Sequence, residues 1–292
     1  MVINTLYRQM CGIMEENPNS DAAFEANLLI EFVLGKKRIE LLGKDVSETD
    51  AQKLLEYAQK RKAGYPLQYI LGRWQFFDMD LYVGEGVLIP RQDTETVCEA
   101  AFEVIEKMEN PTVVDLCSGS GCIALAVKKF CPHSTVAAVE KSDDAFAYLE
   151  KNVAGTNLAV TAVKADIFEY DKVIEENSVD VIISNPPYIH PDVRATIQKE
   201  VSFEPDMALF AEEEGLLFYR YIAANYHKVL KKGGYLVFEY GFDQQTAVRN
   251  ILLQTGYNII KEIVDLGGNA GGLFEDGLWK CPRCGCTETV KT

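Results

Sequence analysis

The sequence of 292 residues predicts an α/β fold in which a parallel, doubly wound β-sheet follows a small helical bundle. The sheet is predicted because short apolar runs alternate with amphipathic segments between residues 112 and 264. Such alternation is typical of successive β-α-β units. The bundle is predicted because apolar residues in the first 65 residues recur at helical spacing.

The first 65 residues are predicted to form three or four short amphipathic helices. Asn19-Ser20-Asp21 and Ser47-Glu48-Thr49-Asp50 offer N-cap residues at the start of two of them. We interpret the bundle as a helical cap without chemistry of its own. Its apolar positions are Ile3, Leu6, Tyr7, Met10 and Met14, then Phe24, Leu28 and Phe32, then Ala51, Leu54, Leu55 and Ala58.

A β-hairpin is predicted between the two regions. The segment from Trp74 to Val83 contains aromatic and roughly alternating apolar residues, and Val87-Leu88-Ile89-Pro90-Arg91 follows it. The sheet region then begins at Thr112. Its predicted strands are Thr112–Leu116, Thr135–Val139, Val160–Val163, Val179–Ile183, Tyr235–Phe238 and Asn258–Val264, and its predicted helices are Cys122–Phe130, Asp143–Val153, Gly215–Leu230 and Gln244–Gln254. A loop or linker is predicted at the glycine-rich stretch Gly267 to Gly272.

Composition restricts the classes of function. The chain carries 29 Lys and Arg against 44 Asp and Glu, a formal net charge of −15. This charge disfavours a protein that gains its affinity by neutralising nucleic-acid phosphates. No apolar run approaches the roughly 18–20 residues that span a bilayer. Residues 1–10 show no apolar signal core, so a cytoplasmic protein is expected. From the apolar runs and the net charge, neither membrane association nor direct nucleic-acid binding is expected.

The first candidate site is the segment Asp115-Leu116-Cys117-Ser118-Gly119-Ser120-Gly121, which leaves the first predicted strand and enters a helix. Glycines there let the backbone approach a ligand closely, and the start of the helix offers free N–H groups. In a doubly wound sheet, nucleotide-like ligands bind at the carboxyl ends of the strands.

Glu140 lies at the end of the second predicted strand, 25 residues after Asp115. An acidic side chain in that place can accept hydrogen bonds from both ribose hydroxyls. The glycine spacing lacks the full G-x-G-x-x-G pattern and no P-loop lysine follows, which favours S-adenosylmethionine over a diphosphate dinucleotide. Asp166, at the end of the third strand, is placed to meet the adenine edge, although an Asp there also serves as a helix cap.

The most specific motif is Asn185-Pro186-Pro187-Tyr188, directly after a predicted strand. The prolines fix the backbone and remove two N–H donors, so that carbonyl groups remain unpaired. The Asn185 amide oxygen and a neighbouring carbonyl then provide two acceptors for one –NH2 group, and Tyr188 offers a flat face. Two acceptors can rotate and polarise a planar nitrogen so that its lone pair faces a sulfonium methyl group.

In combination these motifs resemble the class I S-adenosylmethionine-dependent methyltransferases of the HemK/PrmC family, which methylate a glutamine of peptide chain release factors. The resemblance extends to about Asn269. Besides Asn185–Tyr188 it rests on the segments Pro66–Gly72, Leu88–Glu95, Phe203–Pro205 and Ala208–Ala211. It implies a Rossmann-like, mostly parallel seven-stranded sheet, with a helical substrate-docking domain at 1–72, a β-hairpin linker at 73–92, a methyltransferase domain at 93–270 and a divergent tail at 271–292.

The resemblance also implies residue roles. The substrate would be the glutamine of a Gly-Gly-Gln tripeptide, and the product N5-methylglutamine. Asn185 and the Pro186 carbonyl would accept the amide hydrogens, with Tyr188 packed on the amide, and Pro187 would complete this catalytic and substrate-binding segment. The cofactor residues would be Asp115, then Cys117, Ser118, Gly119, Ser120 and Gly121 at the methionine part, Glu140 at the ribose, Asp166 and Ile167 at the adenine, and Asn185.

Several residues depart from the family pattern. Cys117 replaces a frequent glycine, Gln92 replaces the proline after Pro90-Arg91, and Ile167 replaces an aromatic residue that some members place on adenine. Residues 270–279 match the closing strand of the family poorly. Cys281, Cys284 and Cys286 resemble one knuckle of a zinc ribbon, but three thiolates fall short of four ligands. The other cysteines, Cys11, Cys98, Cys117, Cys122 and Cys131, are expected to be reduced thiols.

Two other functions fit part of the sequence. The Asn-Pro-Pro-Tyr arrangement also serves enzymes that methylate adenine N6 in DNA or RNA, but such an enzyme must flip its base and hold phosphates. The chain has no basic insert for this purpose. A non-catalytic protein that binds a cofactor or metal is a third class, and the intact segments Asp115–Gly121 and Asn185–Tyr188 argue against it.

Overall fold

The computed structural model describes residues 1–264 and 270–277. The chain divides into two compact units. The first contains residues 1–74, 83–85 and 197–203, and the second contains the remainder of the described chain. Within the described residues, no helix is both long and apolar enough to cross a membrane.

The first unit is a helical bundle, as predicted. Asp21 and Ser47 are N-caps whose side chains accept hydrogen bonds from backbone N–H groups. Its helices are α1 (Ile3–Met14), α2 (Ala22–Leu34), α3 (Glu48–Lys62) and α4 (Leu67–Leu71).

The buried face of α1 is the predicted one, whereas that of α2 is different. Phe24 and Phe32 are 54% and 46% exposed, and α2 instead packs through Ala26, Leu29 and Ile30. The four-residue recurrence of Phe24, Leu28 and Phe32 was therefore a wrong guide to the core. Large apolar residues at helical spacing do not identify the packed face when smaller ones occupy a neighbouring stripe.

A buried ion pair joins distant parts of the first unit. Arg61 is 1% exposed, and its guanidinium donates to both carboxylate oxygens of Glu25 at 2.8 and 2.7 Å. It also donates to Glu200 at 2.8 Å, which attaches residues 197–203 to this bundle. The two carboxylates compensate the buried charge of Arg61, which would destabilise the folded state if it were left unpaired.

The second unit contains the predicted sheet and residues 75–82 of the predicted hairpin. Residues of α5, α6 and α7 cover one face of the sheet, and residues of α10 and α11 cover the other. The elements in chain order are β1 (Arg73–Phe76), β2 (Met79–Tyr82), α5 (Gln92–Ile105), β3 (Thr112–Leu116), α6 (Cys122–Phe130), β4 (Thr135–Glu140), α7 (Asp143–Thr156), β5 (Val160–Lys164), α8 (Ile167–Tyr170), β6 (Val179–Ser184), α9 (Asp206–Leu209), α10 (Leu217–Asn225), β7 (Leu230–Glu239), α11 (Gln245–Gln254), β8 (Asn258–Val264) and β9 (Ala270–Gly277).

The described strands of the large sheet follow the order β5-β4-β3-β6-β7-β9-β8. All pairs from β5 to β7 are parallel, and β9 is antiparallel to both β7 and β8. The strand order reverses between β3 and β6. In an open α/β sheet, ligands bind at such a switch point, beyond the carboxyl ends of the strands.

Several elements differ from the sequence prediction. The predicted helix Gly215–Leu230 is shorter, because α10 ends at Asn225 and β7 already begins at Leu230. Helices α5, α8 and α9 were not predicted. Residues 270–277 form a strand, so the sheet extends into the segment that was assigned to a glycine-rich loop and a tail. The pairing of β9 with β7 and β8 depends on distant partners that local sequence patterns do not reveal.

Candidate active site

A cavity lies at the carboxyl ends of the central strands, within the second unit. It contains most of the predicted cofactor residues: its lining includes Cys117, Ser118, Gly119, Ser120, Glu140, Asp166, Ile167 and Asn185. Pro187 also lines it. Asp115, Gly121, Pro186 and Tyr188 do not, although they belong to the segments that form its wall.

The loop between β3 and α6 has a backbone conformation that favours glycine. Cys117, Gly119 and Gly121 have positive φ angles of 60°, 54° and 80°. A Cβ on Gly121 would lie 2.4 Å from Leu149 Cδ1, so a larger residue would force that leucine to shift and would strain the backbone. Cys117 adopts the same left-handed region with a side chain, which agrees with the glycine frequent at this place in the family that the sequence resembles.

Asp115, at the end of β3, stabilises the helix that follows this loop. Its side chain is 1% exposed, and Oδ2 accepts a hydrogen bond from the Ala124 N–H at 3.2 Å in the first turn of α6. Burial raises the pKa of Asp115 to about 8. Among the described atoms, Oδ1 of Asp115 has no hydrogen-bond partner. Asp115 thus lies behind the cavity wall, where it holds the start of α6.

Two backbone N–H groups hold the Glu140 carboxylate. Gly119 N–H donates to Oε2 at 2.8 Å and Ser142 N–H donates to Oε1 at 2.6 Å. A carboxylate accepts about four hydrogen bonds, so acceptor capacity remains on both oxygens. Ser120 presents a buried hydroxyl that has no partner among the described residues. These groups match a ligand that carries hydroxyl, amino or carboxylate groups.

Asp166 serves as the N-cap of α8, because its Oδ1 accepts from Phe168 N–H at 3.0 Å. Its other oxygen lies 2.8 Å from Lys141 Nζ. Burial acts to raise the pKa of Asp166, but Lys141 and the Phe168 N–H outweigh it and the net shift is downward. The carboxylate is therefore both a helix cap and a charged group of the cavity wall.

Aromatic surface in the cavity comes from residues that the sequence analysis did not select. Ile167 lines the cavity and is 4% exposed. Phe168 and Phe218 also line it, with ring centroids 5.4 Å apart. Their rings offer flat apolar faces, which the isoleucine at position 167 lacks.

Asn185 directly follows β6, and its side chain takes part in a buried series of hydrogen bonds. Its Nδ2 donates to Thr94 Oγ1 at 3.3 Å, and the Thr94 hydroxyl donates to Glu239 Oε2 at 2.6 Å. Thr94 and Glu239 are 2% and 6% exposed. The sequence analysis missed both, since Thr94 lies in the first turn of α5 and Glu239 at the end of β7, distant along the chain from Asn185.

The segment Asn185–Tyr188 is held by the loop before α10 and by Gln244, the N-cap of α11. Gln244 Nε2 donates to the Tyr188 carbonyl at 2.9 Å. A Cβ on Gly215 would lie 2.0 Å from that carbonyl oxygen, so this contact requires glycine. Pro186 and Pro187 are buried, and burial raises the pKa of the Tyr188 hydroxyl well above its usual value.

The loop before α5 is fixed by Glu204. Its Oε2 accepts from the Ile89 N–H at 3.0 Å, and its Oε1 pairs with the Arg91 guanidinium. Leu88, Pro90 and Arg91 line the cavity. Leu88–Glu95 and Phe203–Pro205, two segments on which the family resemblance rests, are thereby joined.

No cluster of three or more metal-ligating side chains occurs in the part of the chain that the structure describes. The sequence does not predict a metal site, and the three cysteines that came nearest to one, Cys281, Cys284 and Cys286, lie outside the described residues.

Two family models match the chain. The methyltransferase small domain matches residues 94–238, and the PrmC N-terminal domain matches residues 5–72. A release factor glutamine methyltransferase of Clostridium acetobutylicum is 35% identical over 84% of this chain and 88% of its own length. One of Thermodesulfovibrio yellowstonii is 36% identical over the same shares.

Solved structures share the fold. A methyltransferase from Pyrococcus furiosus aligns with a TM-score of 0.50 and 18% identity, over 69% of this chain and 90% of its own. The hMettl16 catalytic domain, solved with an RNA hairpin, aligns with a TM-score of 0.54 and 17% identity, over 80% of this chain and 82% of its own. At this identity the likeness concerns the fold alone.

Proposed function

Since the chain belongs to the release factor glutamine methyltransferase family, we propose that it methylates the N5 side-chain nitrogen of the glutamine in the Gly-Gly-Gln motif of peptide chain release factors. The observation that carries this proposal is the position of Asn185 in the cavity wall, with its amide nitrogen engaged by Thr94. That arrangement leaves the amide oxygen for a substrate –NH2 group.

The methyl donor is S-adenosyl-L-methionine, which supplies an electrophilic methyl group on a sulfonium centre. The cavity residues fit it. Glu140 offers acceptor capacity to ribose hydroxyls, and the buried Ser120 hydroxyl in the cavity wall suits the polar methionine end. The carboxylate of Asp166 and the rings of Phe168 and Phe218 suit the edge and the faces of adenine.

The chain itself would act by positioning. A planar amide nitrogen is a weak nucleophile because its lone pair is delocalised. Asn185 Oδ1 and the Pro186 carbonyl would accept its two hydrogens and turn the lone pair toward the methyl group, while Tyr188 packs on the amide plane. In an in-line displacement the nitrogen would take the methyl group from sulfur, which would keep the electron pair of the broken bond, and the proton lost from nitrogen would pass to water. Orientation and fixed dipoles supply the acceleration.

Adenine N6 methylation is the alternative, because an exocyclic amino group fits the same two acceptors. The match of residues 5–72 to the PrmC N-terminal domain favours a release factor. The net charge of −15 also disfavours a substrate that is held through its phosphates.

The test is a transfer assay with cofactor labelled in its methyl group. The full-length chain is incubated separately with a bacterial release factor, with the same factor carrying Gln→Ala in its Gly-Gly-Gln motif, and with duplex DNA. We expect label only on the unmodified release factor. Label on DNA, or equal label on the two release factors, would contradict the proposal.

A further inference from the structure

We propose that Thr94 and Glu239 are positioning residues that hold the Asn185 amide with its oxygen toward the substrate. The inference rests on the proposed function for what Asn185 contacts. It assigns a role to two buried residues that belong to other elements. Neither needs to contact the reacting atoms, because both would act through Asn185.

The direction of the Asn185 amide follows from the hydrogen-bond chain. An asparagine side chain has a donor end and an acceptor end, and its partners decide which end faces which way. The Thr94 hydroxyl has one hydrogen, which it gives to Glu239 Oε2 at 2.6 Å. Only oxygen lone pairs then remain toward Asn185, so the –NH2 end must face Thr94, as the 3.3 Å contact shows. A flipped amide would place two acceptors against each other.

The fold places these three residues together. Ser184 of β6 pairs with Phe238 of β7, so Asn185 and Glu239 follow at the same level on neighbouring parallel strands. Thr94 comes from the first turn of α5 and contacts both residues through its hydroxyl. Since Thr94 and Glu239 are 2% and 6% exposed, little solvent competes for their hydrogen bonds.

Glu239 must be ionised to fix this direction. A carboxylate only accepts, whereas a protonated Glu239 can donate to Thr94 and release the threonine hydrogen toward Asn185. Burial raises the pKa of Glu239 to about 7, so the ordered state is expected to be lost as the pH falls below neutrality. The polar and titratable groups that surround it are Arg91, Asp93, Thr94, Cys98, Cys122, Asn185, Tyr188 and Tyr219.

The kinetic test compares matched variants of the full-length chain. Thr94→Val removes the hydroxyl at nearly constant volume, Glu239→Gln removes the charge, and Thr94→Ser keeps the hydroxyl. We expect Thr94→Val and Glu239→Gln to lower kcat for the release factor by about 10- to 100-fold, with the cofactor Kd changed by less than about threefold. Thr94→Ser should remain within about threefold of the unmodified chain, and the double variant should lose no more than the worse single one.

The second test does not depend on methyl transfer. Asparagine is labelled with nitrogen-15, and the side-chain NH2 signals of Asn185 are identified by their loss in Asn185→Ala. These signals should titrate with a midpoint near pH 7 in the unmodified chain and stay constant in Glu239→Gln. If no release factor is methylated but this titration is present, the proposed function fails while the positioning role holds.

Three results would overturn the positioning role. One is Thr94→Val with kcat within about twofold of the unmodified chain. Another is a loss of kcat that is matched by an equal loss of cofactor affinity in both variants. The third is an Asn185 titration that persists unchanged in Glu239→Gln.

Discussion

Glu140 illustrates how one carboxylate can organise a binding loop at the scale of the residue. It holds the backbone at Gly119 and Ser142 through one hydrogen bond on each oxygen. Glu140 also lines the cavity, where a ribose would meet its carboxylate. The same charge would then stabilise both the loop and the ligand.

Glu140→Ala should weaken cofactor binding by about 10- to 100-fold, since hydrogen bonds to a charged acceptor contribute roughly 1.5–3 kcal/mol. Isothermal titration calorimetry with S-adenosylmethionine measures this directly. Glu150→Ala on the exposed side of α7 is the control and should bind normally. Equal dissociation constants for both variants would refute the role of Glu140.

Ionised Glu239 is expected to lower the free energy of unfolding at alkaline pH. Its pKa is about 7 in the folded chain against an ordinary 4.5, so the folded state binds the proton more tightly than the unfolded state. The contribution of Glu239 to stability is then fully present below pH 4.5 and declines as the pH rises to about 7.

Glu239→Gln should therefore raise the free energy of unfolding at pH 8 by roughly 1–3 kcal/mol, and by much less at pH 5. Urea unfolding at the two pH values, with the unmodified chain alongside, measures the difference. A variant that is less stable than the unmodified chain at pH 8 would contradict the expected sign.

At the scale of the element, the segment Asn185–Tyr188 depends on a close contact with the loop before α10. Gly215 and Gly233 have φ angles of +80° and +77°, so alanine strains both backbones similarly. The two positions differ in the room available for a side chain. A Cβ at Gly215 would lie 2.0 Å from the Tyr188 carbonyl oxygen, whereas no atom lies within 4 Å of a Cβ at Gly233.

Gly215→Ala should therefore lower both stability and kcat, whereas Gly233→Ala should cost only the backbone strain, about 1 kcal/mol. We expect at least about a tenfold loss of methyl transfer for Gly215→Ala because Asn185 moves with its segment. Similar kcat values for the two variants would show that the contact does not position the segment.

The helical unit offers a second comparison at this scale. Arg61 is buried between Glu25 and Glu200, whereas the neighbouring Lys62 pairs with Glu16 at the surface. Arg61→Ala leaves a buried carboxylate unpaired and should destabilise the chain by about 3–5 kcal/mol. Lys62→Ala should cost less than about 1 kcal/mol. Thermal unfolding of both variants tests the difference, and equal losses would contradict it.

The sequence predicted those parts of the site that are continuous along the chain. The glycine loop after β3, Glu140 after β4 and Asn185 after β6 each follow directly from a strand and its motif. Thr94 and Glu239 were missed because their role appears only when α5, β6 and β7 are brought together. Strand β9 was missed for the same reason, since its pairing partners are β7 and β8.

At the scale of the whole molecule, the two parts of the chain match two different family models. The match at residues 94–238 concerns methyl transfer in general, and the match at residues 5–72 concerns this family. The structure describes a helical unit and a sheet unit with separate hydrophobic cores. We therefore expect the cavity to provide the chemistry and the helical unit to contribute to the choice of substrate.

The central claim is that Asn185 orients a release factor glutamine for methylation. Mass spectrometry of the Gly-Gly-Gln peptide, after incubation of a release factor with S-adenosylmethionine and either the unmodified chain or Asn185→Ala, tests it most directly. We expect one added methyl group on the glutamine with the unmodified chain, and a rate lower by orders of magnitude for Asn185→Ala despite normal cofactor binding. An unmethylated glutamine with the unmodified chain, or equal rates for the two proteins, would contradict this account.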